Sequence, residues 1–178
     1  MSSWFQYLTR VDEIHFDNID TSNVFDMSCT FSGCTNLKSL DVSGFDTGDV
    51  KDMTEMFFDC HFLTTIYVGN GFSTEKVSDS SDMFYGCESL VGGNGTTFSL
   101  AHTDSTFARV DDPGNGNPGY FTKKVSIDIL SPSVVTDAEI FVSDSVDVQA
   151  RVNGVPEGTG IIFRIVGMDG FSQVSVFF

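Results

Sequence analysis

At 178 residues with 40% hydrophobic side chains and a mean hydropathy near zero, the chain is long enough to bury a core and too apolar to stay disordered. Its 25 Asp and Glu against 9 Lys and Arg give a formal charge of -16, which excludes DNA or RNA as the main partner, because nucleic-acid binders need clustered basic residues to release counterions. The same charge disfavours adsorption to anionic lipid, and no apolar run reaches the roughly 18 residues that spanning a bilayer takes.

Met1 is followed by SSWFQYLTRVDE, which has neither the basic nor the apolar region of a secretory signal. Met1 also stands in register with Met27 and Met53, so the chain opens inside a repeat, as an excised fragment would. The period is 26: VDEIHFDNIDTSNVFDM, LKSLDVSGFDTGDVKDM and LTTIYVGNGFSTEKVSDS align, the last with one inserted residue, and a fourth unit begins after them. Phe5, Phe31, Phe57 and Phe84 form one column, Leu8, Cys34, Cys60 and Cys87 a second, and Val11, Leu37, Leu63 and Leu90 a third. Columns through Leu40, Val42, Phe45 and Val50 follow, and all are apolar. One unit cannot bury such a face alone, so equivalent positions are expected to pile into a continuous core.

Within each unit, spacing like that of Leu37, Leu40 and Val42 predicts a short strand, giving a parallel ladder of Val11 to Phe16, Leu37 to Val42 and Leu63 to Val68. Asp20 and Asp46 then stand in tight corners, where Asp and Thr side chains bond nearby backbone. Asp26 and Asp52 are placed to N-cap a short helical turn, and Asp52 with Glu55 has capping-box spacing.

FSGCTNLKSLDVSGFDTGDVKDMTEMF resembles the BspA-type leucine-rich repeats of bacterial surface proteins, and the resemblance covers residues 1 to about 122. It departs at Leu8, which replaces cysteine, and at Gly69 to Gly71, where a residue is added. The resemblance implies a leucine-rich-repeat-like parallel solenoid over 1–122, with a short strand and a short helical turn in each coil. Residues 91–122, with one helix-like stretch in SLAHTDSTFARV and turn formers in DDPGNGNPGY, read as its C-terminal cap. From Lys123 to Phe178, VSIDIL, AEIFV, SVDVQARV, GIIFRIVG and QVSVFF read as strands. SVDVQARVNGVPEGTGIIFRIVG resembles part of a bacterial immunoglobulin-like domain, which implies a mostly-β sandwich that is short for a closed one.

Chemistry is sparse. Cys34, Cys60 and Cys87 share an inward column and read as buried free thiols, although a ladder spacing of about 4.8 Å leaves a Cys34 to Cys60 disulfide as the alternative. No paired C-x-x-C motif suits zinc, the Asp-rich turns lack the 12-residue calcium-loop pattern, and no cofactor is expected. His15, His61 and His102 fall at unrelated repeat positions without a nucleophile or acid–base pair, so an enzyme is not expected. The Gly92 to Gly95 stretch lacks the Lys-Ser/Thr of a phosphate cradle and reads as a turn. Binding is expected instead on outward strand-face positions, Asp12, His15, Lys38, Asp41, Thr64 and Tyr67, which line up across units. Trp4 and Tyr7 lie off the main columns with Tyr67 and are further ligand candidates.

The resemblance implies a non-catalytic adhesion or display module at the cell surface, with a host or bacterial protein or glycan as partner, and the C-terminal β segment as a spacer or an oligomer contact. The alternative is a fibre or decoration component of a phage or other large particle, with the repeats as rigid spacers.

Overall fold

Stacked phenyl rings run along the core of the repeats. Phe5 lies 5.5 Å from Phe31, Phe31 5.7 Å from Phe57, and Phe57 5.5 Å from Phe84, with planes within 13° of parallel. The row ends where Tyr120 meets Phe84 edge-on at 5.2 Å. Beside it, Leu37, Leu40, Val42, Leu63, Ile66, Val68 and Leu90 are buried, as the aligned columns predict. The computed structural model describes residues 2–16 and 18–124 and, within 126–177, the backbone of five strands. The chain divides into two units, 1–124 and 125–178.

Three short strands, β1 (Ser39–Val42), β2 (Thr65–Val68) and β3 (Phe121–Lys123), form a parallel sheet in that order. Leu40 pairs with Ile66 and Ile66 with Phe121, so the inward positions stay in register. The segment Val11 to Phe16, expected as the first rung, is not a strand: β3, from beyond the repeats, is the third member. Asp12, Glu13 and His15 of that segment are exposed, and among the described residues one backbone bond, Lys38 N–H to the Asp12 carbonyl at 3.2 Å, ties it to the next unit, whereas β1 and β2 share a full ladder.

The expectation of a leucine-rich-repeat-like solenoid with a helical turn in every coil is overturned. Among the described residues there is no α-helix, and the only regular sheet of the first unit has three strands. Where the helical turns were expected, Ser3, Cys29, Glu55 and Asp82 each take a left-handed φ between 53° and 57°, and four residues on Tyr7, Gly33, Asp59 and Gly86 take a left-handed φ between 54° and 79°. A right-handed helix cannot pass through such residues. Alternate N–H groups turn outward along the stack instead: those of Met27, Cys29, Phe31 and Gly33 donate to the carbonyls of Asp52, Thr54, Met56 and Phe58 at 2.7–2.9 Å. Met53, Glu55, Phe57 and Asp59 repeat the pattern onto Asp79, Ser81, Met83 and Tyr85. Two non-glycine left-handed residues in that unit cost roughly 1 to 2 kcal/mol each. Four inter-unit bonds at roughly 0.5 to 1.5 kcal/mol each offset them.

Asp26 and Asp52 are accordingly not helix caps. Each carboxylate accepts the N–H two residues on, from Ser28 at 2.8 Å and Thr54 at 2.9 Å, while Glu55 points to Cys29 and not back to its own turn. Asp20 and Asp46 close their corners the same way onto Ser22 and Gly48. The threonines that follow are buried and bridge units. Thr21 Oγ1 donates to the Asp46 carbonyl at 2.9 Å and accepts from Asp46 N–H at 2.8 Å; Thr47 does both with Ser73 at 2.7 Å. Gly69 and Gly71 fit the inserted residue because a Cβ on either would strike the backbone of Ser43 or Phe45.

The cap hangs on Asp111, whose residue is only 1% exposed. Its carboxylate accepts from Asn94 N–H at 2.8 Å, Thr96 N–H at 3.0 Å, Gly119 N–H at 3.1 Å and the Thr96 hydroxyl. Burial by itself raises its pKa, but these donors outweigh that effect and hold it below the ordinary carboxylate value. The helix-like stretch is reduced to one 3-10 turn, Ser105–Phe107, with Asp104 capping Thr106.

In the second unit, β4 (Ser126–Ser131), β7 (Gly160–Val166) and β8 (Ser172–Phe177) form one antiparallel sheet, and β5 (Asp137–Val142) with β6 (Val148–Asn153) another. This arrangement of one three-stranded and one two-stranded sheet, with β4 paired to β7 and not to its sequence neighbour β5, stands where an immunoglobulin-like sandwich was expected, and no such sandwich is identified among the described strands. The segments between these strands lie outside the described residues.

Two outcomes follow from this packing. Truncating Phe57, which is fully buried between two parallel rings, to Ala lowers stability by roughly 3 to 5 kcal/mol in denaturant unfolding. Because the folded pKa of Asp111 is depressed, its contribution is complete above the unfolded value of about 3.9 and is lost as pH falls through the lower folded value. Asp111→Asn therefore lowers stability at pH 7 by roughly 1 to 3 kcal/mol, and its difference from the parent chain narrows in acid when thermal unfolding is followed against pH.

Candidate partner-binding face

Strand alternation turns Ser39 and Asp41 of β1, Thr65 and Tyr67 of β2 and Thr122 of β3 outward, while Leu40, Val42, Ile66, Val68 and Phe121 point into the core. Asp41, Tyr67 and Thr122 sit directly across from one another in the sheet. Lys124, which follows β3 and anchors its N–H on the Val68 carbonyl at 2.8 Å, completes the row. Its Nζ lies 3.0 Å from Asp41 Oδ2 and 5.2 Å from the Tyr67 ring centroid, so one ammonium joins a carboxylate to an aromatic face. Partial burial raises the Asp41 pKa, but hydrogen bonds from Ser43 and the Lys124 ammonium prevail and hold it low.

Asp12, Lys38 and Thr64 form a second row, just before the strands. Lys38 N–H donates to the Asp12 carbonyl at 3.2 Å and Thr64 N–H to the Lys38 carbonyl at 2.8 Å. The Thr64 hydroxyl also reaches the Lys38 carbonyl, and the Lys38 ammonium stands 3.9 Å from Asp12 Oδ2. All three residues are exposed, whereas Asp41 and Tyr67 are half-buried. His15 joins neither row: it is exposed, outside any strand, and its Nε2 is 3.1 Å from Glu13 Oε2. Lys124 escaped the reading of the sequence because it lies past the last repeat, where no column marks it.

The other candidates separate by environment. All four cysteines are free thiols, which replaces the disulfide alternative: Cys34, Cys60 and Cys87 donate to the carbonyls of Phe5, Phe31 and Phe57 at 3.0–3.2 Å. Burial pushes their thiols up, Cys87 to about 12, so thiolate chemistry is suppressed at neutral pH. Trp4 and Tyr7 are exposed, Tyr7 lying over Gly33. His61 stands between Asp59 and Glu88 at 3.9 and 3.7 Å, and His102 stacks on Phe107 with centroids 3.9 Å apart. The Gly92 to Gly95 stretch closes a turn, Gly95 N–H to the Gly92 carbonyl, held by Asp111. Among the described residues no three His, Cys, Asp or Glu gather as metal ligands, and no helix is long and apolar enough to cross a membrane.

A protein of stacked 26-residue repeats with a polar outward sheet face is the class that this fold and face define. Residues 1–111 match the family described as Mycoplasma protein of unknown function, DUF285, and the chain belongs to that family. Neither a curated protein nor a solved structure matches it.

Replacing Lys124 by Met removes the cation beside Asp41, so the Asp41 carboxyl titrates at higher pH in an NMR pH series. Stability changes by about 1 kcal/mol or less, as for partly exposed ion pairs. An unmoved Asp41 titration would place the ammonium in solvent.

Proposed function

We propose that this chain is a non-catalytic binding or display module at a cell surface, and that its outward sheet face holds a protein or glycan. The observation that carries this reading is the row Asp41, Tyr67 and Thr122 with Lys124, set in register across three paired strands above a buried core. Such a row presents acid, cation, hydroxyl and aromatic groups at fixed spacing with little ordering left to be done on binding. It is an open face, which suits a macromolecule better than a metabolite requiring enclosure. The surface role draws support from the likeness of the repeats to BspA-type proteins, and from the frequent occurrence of DUF285 domains in BspA-like surface repeat proteins.

The test is adherence of the chain to immobilised host extracellular proteins and to a glycan array, compared with the double variant Asp41→Asn, Tyr67→Ala. Loss of adherence by tenfold or more, with the melting temperature lowered by only a few degrees, is the expected result. Undiminished adherence by a folded double variant removes this face from consideration.

A further inference from the structure

The columns that are wholly buried in the inner repeats are only half-buried in the first, where Phe5, Leu8, Ile14 and Phe16 stand. Trp4 shows this most sharply: it occupies the column of Thr30, Met56 and Met83, all fully buried, yet is 62% exposed. The opposite end is closed, Tyr120 and Phe121 packing against Phe84. One end of the stack is sealed and the other is an apolar face.

That face also has a hydrogen-bonding polarity. In the turn segments each unit donates N–H groups to the carbonyls of the next: Ser3, Phe5 and Tyr7 to Ser28, Thr30 and Ser32, then Cys29, Phe31 and Gly33 to Thr54, Met56 and Phe58. Ser2, Trp4 and Gln6 hold the places of Ser28, Thr30 and Ser32, so their carbonyls form the acceptor row of the open edge. We propose that this edge is a docking surface for one further repeat unit of the same 26-residue kind, whose N–H row meets those carbonyls and whose phenylalanine stacks on Phe5. The occupant follows from continuity: the face is the same surface that every inner repeat presents to its predecessor, with the same columns and the same acceptors.

A second copy of this chain satisfies the face poorly. Two open ends brought together by a two-fold axis set acceptor row against acceptor row, leaving buried carbonyls without donors. Approach by the other end is blocked, because the Phe84 N–H there already donates to Thr103 in the cap. A formal charge of -16 on each copy adds repulsion.

Trp4 is the single tryptophan and lies on the proposed surface, so its fluorescence reads occupancy directly. The experiment compares the full chain with a version carrying a second copy of residues 27–52 joined in register ahead of residue 1. Expected are a Trp4 emission shifted to shorter wavelength, reduced quenching by acrylamide, and a melting temperature higher by roughly 5 °C or more. A control whose added copy has Ser in place of Phe31, Leu37 and Leu40 shows none of these changes. The proposal is overturned if the intact copy leaves Trp4 emission and melting unchanged, or if the control copy shifts them equally. It is likewise overturned if the unaltered chain dimerises in light scattering with Trp4 already protected.

Discussion

The structure depends on one backbone arrangement: alternate N–H groups of each turn segment leave their own unit and bond the carbonyls of the next. This is possible only because two residues per unit adopt the left-handed conformation, which turns the intervening peptides along the stack. A helix would have kept those donors inside the unit. Repeats are therefore tied to one another by this row, by the corner threonines, and by the parallel strands or the single bond that replaces them.

Side-chain choices follow from that spacing. Phenyl rings in one column lie 5.5–5.7 Å apart and nearly parallel, because successive units are translated with little rotation. A thiol at the next column is small enough to sit inside and still donate to the carbonyl of the preceding unit's phenylalanine. Threonine at the corner is buried and satisfies both a donor and an acceptor of the following unit. The aspartates at positions 20, 26, 46, 52, 79 and 104 close local turns, so part of the acidic charge has a conformational role.

The outward face inherits its rigidity from this frame. Asp41 and Tyr67 are neighbours because Leu40 and Ile66 are locked in the core beneath them, and Lys124 reaches both because β3 continues the same sheet. The cap thus seals the apolar end and also supplies the only cation of the row.

The period and the inward columns were legible in the sequence, since burial of a repeated apolar position leaves a direct mark on residue type: Phe31, Cys34, Leu37, Leu40 and Val42 were all identifiable as core. So were the Asp20 and Asp46 corners, because an Asx turn is local. The absence of α-helix among the described residues was not. Asp52 and Glu55 carry capping-box spacing, and only the neighbouring unit's carbonyls, available after stacking, make the left-handed alternative at Glu55 the better one. Nor was the third strand, because Phe121–Lys123 lies outside the repeat and pairs with β2 across more than fifty residues of chain. Of the candidate face, alternation within a strand marked Asp41 and Tyr67; Lys124 joined them only through that long-range pairing, and His15 was left out because its segment, held to the next unit by one backbone bond, did not form the expected strand. Local chemistry and periodic burial are written in the sequence, whereas the partners of backbone donors are decided by tertiary stacking.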